Sequence, residues 1–227
     1  MKKLSLIVAG LSVLVGLTVQ AADTNAVTSV NIVGLIKQDL PSNKLVFVAF
    51  NMNAVGSPTQ TFGQAIGDQL PLGTWVYFWN STSQTWDRNS RKIPSKGGWG
   101  SYSNRIVNVG EGIFLTTTTN FTANFLGEVP LAPTTTVAVV ERLNALGLSY
   151  PVDTPWTNSP LSSGLPNGSS FSIWNITNGW TKFTKQIVSK GGWRSGTNVI
   201  IRAGEAFFID TPIGYSTNLF EVRPFTP

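Results

Sequence analysis

The sequence predicts an all-β protein: two tandem, homologous antiparallel domains, each a small β-sandwich or barrel-like unit, behind a cleaved signal peptide. Three observations predict it. One stretch of chain occurs twice: residues 73–114, containing GTWVYFWNSTSQTW, SKGGWGS and NVGEGIF, return as residues 168–208 in GSSFSIWNITNGW, SKGGWRS and RAGEAFF. Roughly 17 of about 42 aligned positions are identical, with one single-residue gap in a turn, which marks a tandem duplication. Apolar residues also come in short runs broken by Gly, Pro, Asn and Ser at roughly 8–12-residue intervals, the spacing of short antiparallel strands. Finally, charged residues are only 12 % of the chain, and Thr, Ser, Asn and Gly dominate its polar share, which suits an extracellular β surface.

The elements follow in order. Lys2 and Lys3 form a positive n-region, residues 4–19 an apolar segment, and Val19-Gln20-Ala21 a small-x-small site, so residues 1–21 read as a secretory signal with Ala22 the first mature residue. Export by the Sec route then places the mature chain in the periplasm, at the cell surface or outside the cell. No transmembrane helix is expected in the mature chain, because no later run is long and apolar enough. The duplication divides the remainder into residues 22–130 and 131–227. In the first copy, strands are expected at 30–40 and 44–52, joined as a hairpin through Pro41-Ser42-Asn43. A short helix at 61–67 follows, then a hairpin of 75–79 with 85–91, and strands at 105–109, 113–117 and 121–129. Residues 130–136 read as a linker. The second copy repeats the plan at 137–142, 146–152, 170–174, 180–185, 199–202, 207–210 and 218–222. An outer-membrane barrel would also alternate, but the Pro and paired Gly inside the repeats argue against it.

Without Cys, stability must come from apolar burial, and the eight Trp are its obvious source. Each can remove on the order of 200 Å² from water, up to roughly 5 kcal/mol before entropy is counted. The shared motif has a mechanical reading: Gly97-Gly98 and Gly191-Gly192 turn the chain so that Trp99 and Trp193 drop onto the core. Trp79 and Trp174 recur as strand residues of the same motif. Glu111 and Glu205 follow a Gly before an apolar strand, and for Lys96 with Glu111 and Lys190 with Glu205 a turn-to-turn ion pair or a set of backbone hydrogen bonds is expected.

The order of a VNIVG opening strand, a Leu-Pro turn, a VYFW strand, a GGW turn, a GEGIF strand and a terminal FLGEV strand resembles a class of exported bacterial tandem β-repeat proteins. The resemblance spans nearly all of the mature chain. It implies export and a two-unit layout and carries no catalytic residue across. The chain departs from the usual form at Val109 and Ala203, where a Pro often precedes the Gly.

The inventory argues against catalysis. With no His and no Cys, Ser-His-Asp and Cys-His nucleophile systems and the usual zinc and copper sites are excluded. The eleven carboxylates could in principle hold a glycosidase pair, but Glu111 and Glu205 recur at one fold position and Asp39, Asp68, Asp87, Asp153 and Asp210 are isolated in sequence. No calcium loop and no phosphate-binding glycine loop is present, so no metal and no cofactor is expected. Removing Lys2 and Lys3 lowers the formal net charge from +5 to +3, which implies no nucleic-acid partner. The basic groups Arg88, Arg91, Lys92 and Lys96, and Lys182, Lys185 and Lys190, read as solvated strand faces beside turns.

Differences between the copies point to binding. Trp75, Tyr77 and Trp79 alternate onto one strand face, and the second copy has Ser170 and Ser172 in place of the first two. Trp75 and Tyr77 are therefore candidates either for an exposed aromatic platform or for packing against the other domain, and Trp156, unmatched in the first copy, is a further loose aromatic or a loop plug. The expected function is that of a structural or self-assembling surface protein associating through β-edges. The alternative is a carbohydrate-binding module that stacks surface glycans on these aromatics.

Overall fold

Alternating apolar side chains lay down the same series of strands twice. The computed structural model describes residues 31–226 apart from Pro58, Arg194, Ser195 and Thr197, so the signal segment 1–21 lies outside the described residues. The first copy runs β1 (Val33–Leu40), β2 (Val46–Ala49), β3 (Gln60–Thr61), α1 (Phe62–Ala65), β4 (Trp75–Asn80), β5 (Thr85–Ser90), β6 (Ile106–Val107), β7 (Gly112–Thr116) and β8 (Phe121–Glu128). The second runs β9 (Thr134–Val139), β10 (Arg142–Gly147), β11 (Thr154–Pro155), α2 (Pro160–Gly164), β12 (Ser170–Asn175), β13 (Gly179–Thr184), β14 (Ile200–Ile201), β15 (Ala206–Thr211) and β16 (Thr217–Val222). The protein is all-β, and every pairing between these strands is antiparallel.

Each copy builds a four-stranded sheet, in the order β2-β7-β4-β5 or β10-β15-β12-β13. Each adds a two-stranded ribbon, β1-β8 or β9-β16, and a short pair, β3-β6 or β11-β14. The ribbon closes over one face of its sheet. In the first copy Ala123 and Phe125 of the ribbon meet Val46, Val48, Val76, Phe78, Ile113 and Leu115 of the sheet, with Phe62, Ile66 and Trp99 filling the end. In the second, Val137 and Leu219 meet Phe171, Phe207 and Ile209, and Trp156 and Trp193 fill the end.

Two sequence expectations are corrected. Residues 30–40 and 44–52 do not form a hairpin: β1 pairs with β8 and β2 with β7. The Pro41-Ser42-Asn43 turn carries the chain from ribbon to sheet, where Asn43, at φ 56°, donates its N–H to Thr117 O. Residues 130–136 are not simply a linker, since β9 begins at Thr134 and pairs along its whole length with β16.

The remaining face of each sheet turns toward the other copy. Phe47, Ala49 and Phe114 of the first sheet and Ala145, Ala206 and Phe208 of the second form a third buried cluster, flanked by Trp79, Trp86 and Trp174. Two pairs of backbone contacts repeat on both sides of the seam. Ala49 N–H donates to Gly204 O at 2.8 Å, and its counterpart Gly147 N–H to Gly110 O at 2.9 Å. Val48 bridges Glu205 as Leu146 bridges Glu111. Residues 31–227 thus cluster as one compact unit, and the boundary expected at residue 130 falls within it.

Candidate functional site: an aromatic cleft between the two sheets

Strand alternation decides what lines the space between the sheets. On the hairpin of β4 and β5, Trp79 stands directly opposite Trp86, and on that of β12 and β13 Trp174 stands opposite Trp180. Side chains on facing positions of one sheet face lie close enough to touch. The indole centroids of the two pairs are 4.9 and 5.1 Å apart. The neighbouring strand adds Phe114 or Phe208 on the same face. The rings then interlock across the seam: Phe208 is met edge-on by Trp79 and Trp86 at 5.4 and 5.8 Å, and Phe114 by Trp174 and Trp180 at 5.4 and 5.8 Å.

Two indoles tie the sheets together. Trp79 Nε1 donates to Leu143 O at 2.9 Å, and Trp174 Nε1 donates to Leu45 O at 2.7 Å, the equivalent bond in reverse. With their N–H groups satisfied, these rings face the cleft as apolar surface. Gln84 adds a contact found on one side only, accepting from Leu143 N and donating to Leu143 O, both at 3.0 Å. Its turn is one residue longer than the corresponding turn at 175–179, which is how it reaches.

The resulting cleft has a volume of about 620 Å³ and is walled by Trp79, Trp86, Trp174, Trp180, Phe114, Phe208, Leu45 and Leu143, with Tyr77, Ser172 and Lys182 as its polar members. That volume is in the range that holds a small organic ligand. Trp180 is the most open of the four indoles, at 43 % exposure. Lys182 pairs with Asp210 at 3.1 Å.

The aromatics proposed from sequence separate. Tyr77 lines the cleft. Trp75 lies two residues further out on β4, 40 % exposed, with the Arg88 guanidinium 5.7 Å from its ring centre. Trp156 is no platform: it is fully buried, stacked on Phe171 at 4.2 Å. It follows β11 as Phe62 follows β3, and both rings meet the Trp of the GGW turn edge-on. Length differences between the copies hid that equivalence.

The shared motif sits where it supports the sheets. Gly97 and Gly191 adopt φ of 93° and 98°, in the left-handed region, and Gly98 and Gly192 follow at 53° and 56°. Trp99 Nε1 then donates to Gly67 O and Trp193 Nε1 to Ser162 O. Glu111 takes Arg105, at 3.1 Å, in place of the expected Lys96, because the carboxylate turns back over its own loop to accept Asn108 N–H. Glu205 accepts Arg202 N–H in the same way rather than Lys190, and burial raises its pKa. Two of the basic residues read as solvated are inward-facing, with Arg91 donating to Leu70 O and Lys185 Nζ donating to Leu165 O.

Away from the cleft, Glu221 is 3 % exposed on β16, beside a cavity of about 240 Å³. One carboxylate oxygen accepts Ser149 N–H at 2.8 Å and the other has no hydrogen-bond partner among the described residues. Burial pushes its pKa up to about 7.

Comparison with protein-family models, with curated proteins and with solved structures found no match for this chain.

Proposed function

We propose that this chain is an exported, non-catalytic binding protein whose ligand site is the aromatic cleft between its two sheets. The observation that carries the reading is the convergence of four indoles, two from each copy, on one concave space of ligand size. Apolar ring surface held open to water carries a standing cost of about 25 cal/mol per Å², which a ligand with a flat apolar face relieves. Trp79 and Trp174 are held by their hydrogen bonds to the opposite sheet, so the walls are preorganised and little ordering is needed on binding. The polar groups are few, which suits a ligand positioned chiefly by stacking.

Intrinsic tryptophan fluorescence tests the reading. A screen of saccharides and of the neutral dye Nile red is expected to yield ligands that change the emission of the wild type. Trp86→Ala and Trp180→Ala are expected to lose the response while keeping the far-UV circular dichroism of the wild type. Binding that survives both substitutions overturns the assignment.

A second reading, self-association, draws on the outer surface. Leu35 and Leu126 stand opposite each other on the ribbon at 54 % and 57 % exposure, with Val33 beside them, and β5 and β13 are outer strands of their sheets. Light scattering across a hundredfold range of concentration separates the cases: growth into oligomers supports association, and a constant monomer mass removes it.

A further inference from the structure

The cleft is symmetric in its rings and asymmetric in its charges. On the second sheet, Ser172, Lys182 and Asp210 each follow one alternation step beyond Trp174, Trp180 and Phe208, on the same face. Ser172 stands opposite Lys182, and Lys182 Nζ reaches Asp210 Oδ2 at 3.1 Å. One alternation step is about 6.8 Å along a strand, so Ser172 and Lys182 lie about one sugar-ring length from Trp180, and Asp210, opposite Ser170, lies one step further. At the equivalent positions the first sheet carries Tyr77, Arg88 and Thr116, with no carboxylate, and Arg88 lies over Trp75 instead.

Resting on the cleft reading above, we infer that the ligand is a neutral oligosaccharide, the apolar face of one ring on Trp180 and two adjacent hydroxyls of that ring or the next on the Lys182–Asp210 pair. The chemistry of the pair selects this class. An ammonium has three donors and a carboxylate only acceptors, and their mutual bond uses one of each. A vicinal diol supplies what remains: one hydroxyl accepts from Lys182 while its neighbour donates to Asp210, with Ser172 Oγ beside them as a further donor or acceptor. Because the two charges cancel, an anionic sugar would meet the Asp210 carboxylate without a spare cation, whereas a neutral one leaves the pair intact. A purely apolar ligand would cover the pair without replacing its water, at a loss of affinity. The asymmetry also fixes direction, since only the second-copy side of the cleft offers the donor–acceptor pair.

The test is a glycan array, with Nile red titrated in parallel, on the wild type, Trp180→Ala, Asp210→Asn and Lys182→Met. The expected result is binding to neutral glycans, lost in Trp180→Ala and weakened about tenfold or more in Asp210→Asn and Lys182→Met, with Nile red affinity lost only in Trp180→Ala. Glycan binding unchanged in both pair variants overturns the diol assignment and leaves the cleft as the site. A preference for uronic or sialic acids overturns neutrality. Nile red binding that depends on Trp180, with no glycan bound, overturns the carbohydrate assignment alone; failure of both ligands overturns the cleft reading with it.

Discussion

Gly147 and Ala49 occupy equivalent positions of β10 and β2 and face each other across the seam. A Cβ built on Gly147 would come within 2.1 Å of the Ala49 Cβ, far inside contact distance. The Gly147 backbone lies outside the left-handed region, so the cost of Gly147→Ala is the contact itself. Overpacking of this kind costs about 1–3 kcal/mol, offset by about 0.4–1 kcal/mol from a stiffer unfolded chain, for a net loss of about 2 kcal/mol. Ala49→Gly removes one buried methyl and loosens a strand, for about 1.5 kcal/mol. The pair of substitutions moves the methyl from one copy to the other. The nearest remaining neighbours of the new Cβ are Glu205 O at 3.4 Å and the residue-49 Cα at 3.6 Å, ordinary contacts. The double variant is therefore expected within about 1 kcal/mol of wild type, a coupling of roughly 3 kcal/mol between residues of different repeats. Urea unfolding of the four proteins, followed by tryptophan fluorescence and far-UV circular dichroism, measures it. Additive losses, leaving the double variant less stable than either single one, would refute the seam geometry.

Other consequences follow from the same packing. Trp156→Ala is expected to cost about 3–5 kcal/mol in urea unfolding and Trp156→Phe much less, because Phe62 does the same work in the first copy. Glu221 holds its proton to a higher pH in the folded protein than in the unfolded chain, so its contribution to stability is fully present below about pH 4.5 and is lost as pH rises toward about 7. The full change is about 3 kcal/mol, and Glu221→Gln should flatten the urea midpoint over that range. The raised pKa of Glu205 adds a loss of the same sign.

Strand identity was legible because alternation and turn residues are local signals. Pairing was less so. Pro41-Ser42-Asn43 has the composition of a hairpin turn, yet β1 finds its partner some 85 residues away because its apolar face is needed over the sheet. The cleft was hidden for a different reason. Residues identical in both copies, such as Trp79 with Trp174, carry the signature of a shared scaffold, and only positions that differ, such as Trp75, stand out in the sequence as binding candidates. A two-fold seam uses the same surface twice, so the rings that line it recur in both copies. The signal that could have found it was the second tryptophan of each hairpin, on the same face as the first. The equivalence of Trp156 with Phe62 is not visible in the sequence because the chain between β2 and β3 is longer than that between β10 and β11.

The indole region of an ¹H–¹⁵N spectrum, recorded with and without millimolar neutral saccharides such as cellobiose, maltose and chitobiose, tests the central claim most directly. Binding in the cleft predicts that the Trp86 and Trp180 resonances move with at least one saccharide while those of the core residues Trp99, Trp156 and Trp193 stay fixed. Resonances of Trp86 and Trp180 that remain in place with every saccharide, or a response confined to Trp75, would contradict it.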